Sequence, residues 1–327
     1  MEQHESSRLG TALSVVGLGT WQLGADWGDV AEKDALAVLD AAVESGVTFF
    51  DTADVYGDGR SERTIAAFRA ARPDADVFVA TKMGRRLEQL PENYVLDNFR
   101  AWNDRSRRNL NVDRLDLVQL HCPPTAVYSS DALYDALDTL VAEERVARYG
   151  VSVETCDEAL TAIARPGVAS VQIILNAFRM KPLERVLPAA REAGVAIIAR
   201  VPLASGLLSG RYTRQTVFAE NDHRSFNRHG EAFDQGETFS GVDYATGVDA
   251  AAEFSALAPE GVTPAQLALR WVVQQEGVTS VIPGARSPQQ AVANAESAGV
   301  QDLSPELLAR IRGLYDSRIR EQVHGRW

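Results

Sequence analysis

Short apolar runs alternate with longer helical stretches along almost the whole chain, and that rhythm limits the fold more than any other feature. The runs are SVVGLG near residue 14, VTFFD near 47, DVFVATK near 76, LDLVQLH near 115, VARYGVS near 146, SVQIIL near 170, VAIIAR near 195 and VTSVIPG near 278. Strands apolar on both faces need cover on both sides, which points to a parallel sheet with helices packed against it. The stretches between them supply those helices: across 32–46, Ala35, Leu36, Leu39, Ala42 and Val43 share a face and Gly46 stands at the C′ position. Right-handed crossovers then link neighbouring strands. Eight units without a break fit a closed (β/α)8 TIM barrel of parallel strands better than an open doubly wound sheet, which holds about five or six. The expectation is an α/β chain with a single barrel domain over 1–327 and a long insertion after strand 7, at 211–248. A loop of that length is a lid or binding loop, or else a plain surface excursion.

Charge and cysteine usage narrow the function classes. Lys and Arg total 33 against 45 Asp and Glu, a formal charge of -12, with no long basic run. That disfavours nucleic acid and anionic membrane as partners, while leaving room for a local basic pocket. Two cysteines, Cys122 and Cys156, suit a reducing compartment and exclude a disulfide framework. The N-terminus MEQHESSRLG is polar and no run of 18 apolar residues occurs, so a cytoplasmic location is expected. Monomer and homo-oligomer both remain open.

In a barrel of this kind the chemistry sits where strands end. Those positions carry Gly19, Thr20 and Trp21 after the first strand, Asp51 after the second, Lys82 after the third, His121 after the fourth and Ser152 after the fifth. Tyr56 follows Asp51 on its loop, in FFDTADVYG. A tyrosine with a pKa near ~10 is a weak acid. A neighbouring lysine cation lowers that pKa by favouring tyrosinate, and a carboxylate keeps the lysine charged and in place. Asp51, Lys82 and Tyr56 have the chemistry for such a relay, and His121 adds a donor able to orient a carbonyl oxygen. Singly, Lys82 reads as a solvated strand-end lysine and His121 as a satisfied core histidine. Their placement at successive strand ends favours one shared site.

The segments VGLGTWQLG, FFDTADVYG, ATKMG, DLVQLHCPP, YGVSVET, ILNAF, VPLASGLLSGRY and VIPGARSPQQAVAN, in this order, resemble the aldo-keto reductase family over nearly the whole chain. The resemblance implies an NADP(H)-dependent reductase of aldehydes or ketones, sugars among them, acting on a small carbonyl or alcohol substrate. Its tetrad would be Asp51, Tyr56, Lys82 and His121: Tyr56 the general acid in reduction, Lys82 and Asp51 tuning it, His121 orienting the carbonyl. On the cofactor side, Gly284 permits close backbone approach, Ser287 is a plausible N-cap and Pro288 suits the first helical turn, so Arg286 stands at a helix N-terminus suited to phosphate. By resemblance, Arg286 would hold the 2′-phosphate and Gln290 and Asn294 would line the adenine. The loop of Val201, Pro202, Leu203, Ala204 and Gly206, closed by Arg211, would cradle the pyrophosphate. Gly19, Thr20, Trp21 and Asp51 would complete the cofactor site.

Two positions depart from the family pattern. Arg200 stands where many members carry an aromatic under the nicotinamide, so it lies against that ring or reaches a phosphate. Val153 replaces an asparagine after Ser152, which leaves the carboxamide contact to Ser152 and Gln172. Trp21, Tyr56 and parts of the insertion would form the substrate walls, with Phe218, Phe226 and Phe233 packing over a ligand or stapling the loop. Cys122 reads as packed. A Rossmann dehydrogenase needs G-x-G-x-x-G, and GLGTWQLG has the wrong third spacing. A metal hydrolase needs converging ligands; of five histidines, His4 and His324 lie near the termini and His223 and His229 in the insertion, so no metal is expected. The remaining alternative is a non-catalytic NADP(H)-binding regulatory subunit on the same barrel.

Overall fold

The computed structural model describes residues 1–24 and 31–327. Its first element is an antiparallel hairpin, β1 (Gln3–Ser6) and β2 (Thr11–Ser14), built from the polar N-terminus. The first apolar run therefore divides between β2 and the first barrel strand, β3 (Leu18–Gly19). Gly17 lies between them where a Cβ would fall 2.7 Å from the Phe49 ring, so only a bare backbone passes there.

The chain then runs α1 (Trp21–Gly24), α2 (Glu32–Glu44), β4 (Phe49–Asp51), α3 (Arg60–Ala71), β5 (Phe78–Met83), α4 (Leu96–Leu110), β6 (Leu115–His121) and α5 (Asp131–Ala142). It continues with β7 (Val146–Ser152), α6 (Cys156–Ile163), β8 (Val168–Ile174), α7 (Pro182–Ala193) and β9 (Ala196–Arg200). After the short α8 (His223–Phe226) come α9 (Tyr244–Ser255), α10 (Pro264–Val273), β10 (Val278–Val281), α11 (Pro288–Glu296), α12 (Pro305–Leu314) and α13 (Arg320–Val323).

Strands β3 to β10 pair in parallel and in chain order as one eight-stranded sheet, the order a barrel requires and a doubly wound sheet forbids. The barrel closes through Gly17 N–H to Val281 O at 2.8 Å and Val281 N–H to Val15 O at 2.9 Å. Leu13, Phe49, Ala80, Leu117, Ala196 and Ile198 cluster within the strands, while a larger apolar layer joins the sheet to its helices. No helix of the described residues is long and apolar enough to cross a membrane.

Register carries the strand ends to one rim: Gly19 lies beside Asp51, Lys82 beside Gln119, His121 beside Ser152, and Ser152 beside Gln172. The insertion after the seventh barrel strand is present, but its last expected residues belong to α9. There the Asp243 carboxylate accepts from Thr246 N–H at 3.0 Å to start the helix. At Gly247 inside α9 a Cβ would meet Leu207 at 2.8 Å, so the glycine serves close packing. Beyond residue 300, α12 and α13 extend past the expected pattern.

Gly57 fixes the loop that carries Tyr56. It has φ +59° and a Cβ on it would lie 1.9 Å from the Gly24 carbonyl oxygen. Gly57→Ala combines a left-handed side chain with a backbone clash. Urea denaturation should show a loss of at least about 2 kcal/mol.

Candidate active site

At the carboxyl ends of the strands, two opposite charges lie almost wholly out of water. Lys82 is 1 % exposed and Asp51 3 %. Lys82 Nζ donates to Asp51 Oδ1 at 2.5 Å, to the Thr52 carbonyl at 2.9 Å and to the Tyr56 hydroxyl at 3.3 Å. The other Asp51 oxygen accepts from Gln172 Nε2 at 2.7 Å and Gln119 Nε2 at 3.3 Å. Buried charges persist only when paired and hydrogen-bonded in this way. His121 meets the Tyr56 ring edge-on, centroids 5.9 Å apart. The four residues singled out from sequence thus converge.

Their protonation follows from burial set against charge. Burial works against the Lys82 cation, but Asp51 and Tyr56 outweigh it and raise its pKa, so the lysine is charged at neutral pH. For Tyr56 the net direction is upward: burial raises its pKa, and the downward pull of Lys82 does not overcome it, with Asp51 and Glu237 adding to the rise. The sequence argument expected lowering, because it weighed the lysine and could not weigh the desolvation. Burial first, then Arg85, Lys82 and Arg200, hold His121 well below its usual value of 6.5; its imidazole is neutral.

A cavity of about 360 Å³ runs from this group to α11, and Gly19, Thr20, Trp21, Asp51, Tyr56, Gln172, Arg200, Val201, Pro202, Leu203, Gly206, Gly284, Arg286 and Gln290 line it. Lys82 and His121 adjoin it through their contacts with Tyr56. The loop after β9 turns through left-handed residues at Val201, Ala204, Ser205 and Gly206, a strained path that persists where surrounding structure enforces it. Ala204 is buried within that turn. Ser287 caps α11 by accepting from Gln290 N–H at 3.3 Å. Gln290 Oε1 accepts from Arg286 N–H at 2.8 Å and Asn294 Nδ2 donates to Gly284 O at 3.1 Å, so both side chains hold the loop that presents Arg286. At Gly284 the close neighbour is the Gln22 side chain.

Four expected contacts fall outside the cavity lining, Ala204 in the buried turn among them. Arg211 is exposed and its neighbour Tyr212 lines the cavity instead. Asn294 faces the Gly284 loop, as described. Ser152 is buried, its hydroxyl accepting from the Cys122 thiol at 3.3 Å; burial pushes that thiol up to about 12, which leaves it inert.

Arg200 neither lies free nor reaches toward α11. Its guanidinium donates to Glu154 Oε2 at 2.8 Å and to Val153 O at 3.0 Å, and lies 3.5 Å from Glu237 Oε1. Arg85 joins them, 3.5 Å from Glu237 and 3.9 Å from Glu154, with its Nε–H donating to the His121 carbonyl at 3.1 Å. Cys122, Glu154 and Glu237 bring ligand-type atoms within 4.8 Å of one another, but the positive charge of that cluster comes from the two guanidiniums.

The insertion supplies Glu237, Tyr212, His223 and Arg224 to the cavity, none of them chosen from sequence. Their signal was present only as a dense polar stretch inside a loop already marked as a lid candidate. Of its phenylalanines, Phe218 packs against Tyr212 and Phe239 as a staple, Phe233 reaches Trp21 at 6.3 Å, and Phe226 is largely exposed. Trp327 clasps the segment: it covers the Arg179 guanidinium at 4.2 Å, donates to Asp234 Oδ1 at 3.0 Å, and lies where a Cβ on Gly241 would meet it at 2.2 Å.

The sequence profile described as the Aldo/keto reductase family matches residues 15–316. The aldo-keto reductase YhdN of Bacillus subtilis is 29 % identical over 305 residues, covering 91 % of this chain and 89 % of that one. Among solved structures, the glycerol dehydrogenase AKR11B4 from Gluconobacter oxydans superposes with a TM-score of 0.77 at 26 % identity, covering 97 % and 96 % of the two chains. An aldo/keto reductase from Klebsiella pneumoniae, in complex with NADP and acetate, gives 0.69 at 26 % identity over 93 % and 92 %.

Replacing Lys82 by Met leaves the Asp51 carboxylate buried without its cation. Chemical denaturation should register a loss of about 3–5 kcal/mol relative to the unaltered protein.

Proposed function

The chain belongs to the aldo/keto reductase family, and on that premise we propose that it is one catalytic domain that reduces aldehydes or ketones with NADP(H), with Tyr56 as the proton donor. The observation that carries this reading is the Lys82 ammonium, held at 2.5 Å by Asp51 and 3.3 Å from the Tyr56 hydroxyl. Fit of the dinucleotide rests on the shape and donors of the cavity: it extends from Tyr56, past the left-handed loop at 201–206, to Arg286 beside the capped start of α11. The NADP found in the Klebsiella pneumoniae relative supports the choice of cofactor.

NADPH, when bound, supplies the hydride that reaches the carbonyl carbon. The residues of the chain handle the proton and the geometry. Tyr56 carries its proton at neutral pH because its pKa is raised, and it gives that proton to the carbonyl oxygen. The tyrosinate left behind faces the Lys82 cation, which Asp51 fixes, so the charge that develops meets a charge already in place. Neutral His121 donates an N–H to the same oxygen and orients it without adding a competing charge. Arg286 binds the 2′-phosphate, with Gln290 and Asn294 holding its loop. Ser152 is enclosed away from the cavity, so of the two residues considered for the carboxamide, Gln172 is the one with access.

Tyr56→Phe should lower kcat/KM for an activated aromatic aldehyde by about 10²–10⁴-fold, while NADPH binding, followed by fluorescence, persists. Tight binding without turnover in the unaltered protein would favour the regulatory-subunit reading instead. Because reduction needs protonated Tyr56 and its folded pKa is raised, kcat/KM for reduction should hold through neutral pH and decline only above about 10. Arg286→Ala should weaken NADPH at least about tenfold more than NADH, the scale of one lost charge-assisted contact; equal losses would remove Arg286 from the 2′-phosphate.

A further inference from the structure

Glu237 and Arg200 both line the cavity that holds Tyr56, and Glu237 is close enough to that tyrosine to act on its ionisation. We propose that this pair binds a hydroxyl group of the substrate, so that the enzyme selects short hydroxylated aldehydes over alkyl aldehydes of the same length. The inference rests on the reductase reading above.

The pair is pre-organised. Glu237 Oε1 lies 3.5 Å from both Arg85 and Arg200, and Arg200 is tied in turn to Glu154 and the Val153 carbonyl. Arg85 is anchored on the His121 carbonyl, and Trp327 engages the segment on either side of Glu237, at the Asp234 carboxylate and against Gly241. Burial pushes both carboxyls up. At Glu154 it prevails and takes the group to about 7, whereas Arg200 and Arg85 outweigh it at Glu237 and draw that group down to about 2. Of the two carboxyls, the one at the cavity is therefore the one held ionised.

The pair also has hydrogen-bonding capacity left over. The Arg200 Nε–H is buried and has no partner. The Glu237 contacts at 3.5 Å are long, and a carboxylate offers about four lone-pair sites. A hydroxyl matches both needs, since its oxygen accepts from Nε–H and its proton goes to the carboxylate. An alkyl chain would cover both groups and return nothing, leaving desolvated charges without partners. The same cavity is lined by the rings of Trp21 and His223, 5.0 Å apart, with Phe233 packed 6.3 Å from Trp21, surfaces suited to the C–H side of a short chain. A site built to bond a hydroxyl rejects the analogue that lacks it far more strongly than an apolar pocket rejects an extra one.

The test compares glyceraldehyde with propanal, which differ only in two hydroxyls, using NADPH and referring each rate to the free aldehyde present. The unaltered enzyme should favour glyceraldehyde in kcat/KM by about ten- to a hundredfold, the scale of a hydrogen bond to a charged group. Glu237→Gln removes the anionic acceptor with little change of shape, and Arg200→Lys removes the Nε donor while keeping the charge. Each should reduce the ratio at least about threefold. Circular dichroism identifies a variant that does not fold, and the ratio in the unaltered enzyme stands without either. A ratio near one in the unaltered enzyme, or a large ratio that neither folded variant moves, overturns the inference while the reductase reading survives. No turnover of either aldehyde, with NADPH bound, overturns the reductase reading itself.

Discussion

The Asp51–Lys82 ion pair is the contact on which the rest of the site depends. Two charges sunk this deep in a barrel need each other, and they also need every spare lone pair and N–H filled. The chain meets that demand from separate strands: Asp51 ends β4, Lys82 lies in β5, Gln119 in β6 and Gln172 in β8. The ammonium that completes the pairing is also the one that faces Tyr56. On the proposed mechanism, stability and reactivity are two effects of one set of hydrogen bonds, and the same bonds let so polar a cluster sit at the end of an apolar barrel.

A second group of charges does for the insertion what the first does for the strands. Arg85 and Arg200 belong to the barrel rim and Glu237 to the long excursion after β9, so the ion pairs between them join segments far apart in sequence. Glu154 joins them through Arg200, and burial together with the neighbouring Glu237 carboxylate raises its pKa while the two guanidiniums hold Glu237 ionised. The outcome is a polar wall made partly by a loop and tied to the barrel rim by ion pairs.

Much of this was legible in the residues because it depends on local pattern. Apolar runs with helices between them announce a parallel barrel, and Asp51, Lys82 and His121 then stand at strand ends by simple counting. The capped start of α11 was readable from Ser287 and Pro288 for the same reason. The hairpin at 3–14 was not, since its strands are short, largely polar and pair only with each other. Glu237 and Glu154 were out of reach as well, because nothing in sequence says which acid in a charged loop will meet which arginine. The upward shift of Tyr56 lay beyond sequence too: a lysine can be read from spacing, whereas the surrounding protein atoms that outweigh it exist only in three dimensions.

The Trp327 clasp has a consequence for how the protein is made. A ribosome releases the segment around Gly241 well before Trp327 is added, at about 5–20 residues per second. Once β10 (Val278–Val281) has followed, the barrel strands are complete, yet the pocket wall has no clasp until Trp327 is added, and Arg179 waits without its aromatic cover. The final assembly of the cavity wall is therefore a late, vectorial event, separate in time from closure of the sheet. A chain that stalls short of that tryptophan would carry a finished barrel and an unfinished pocket.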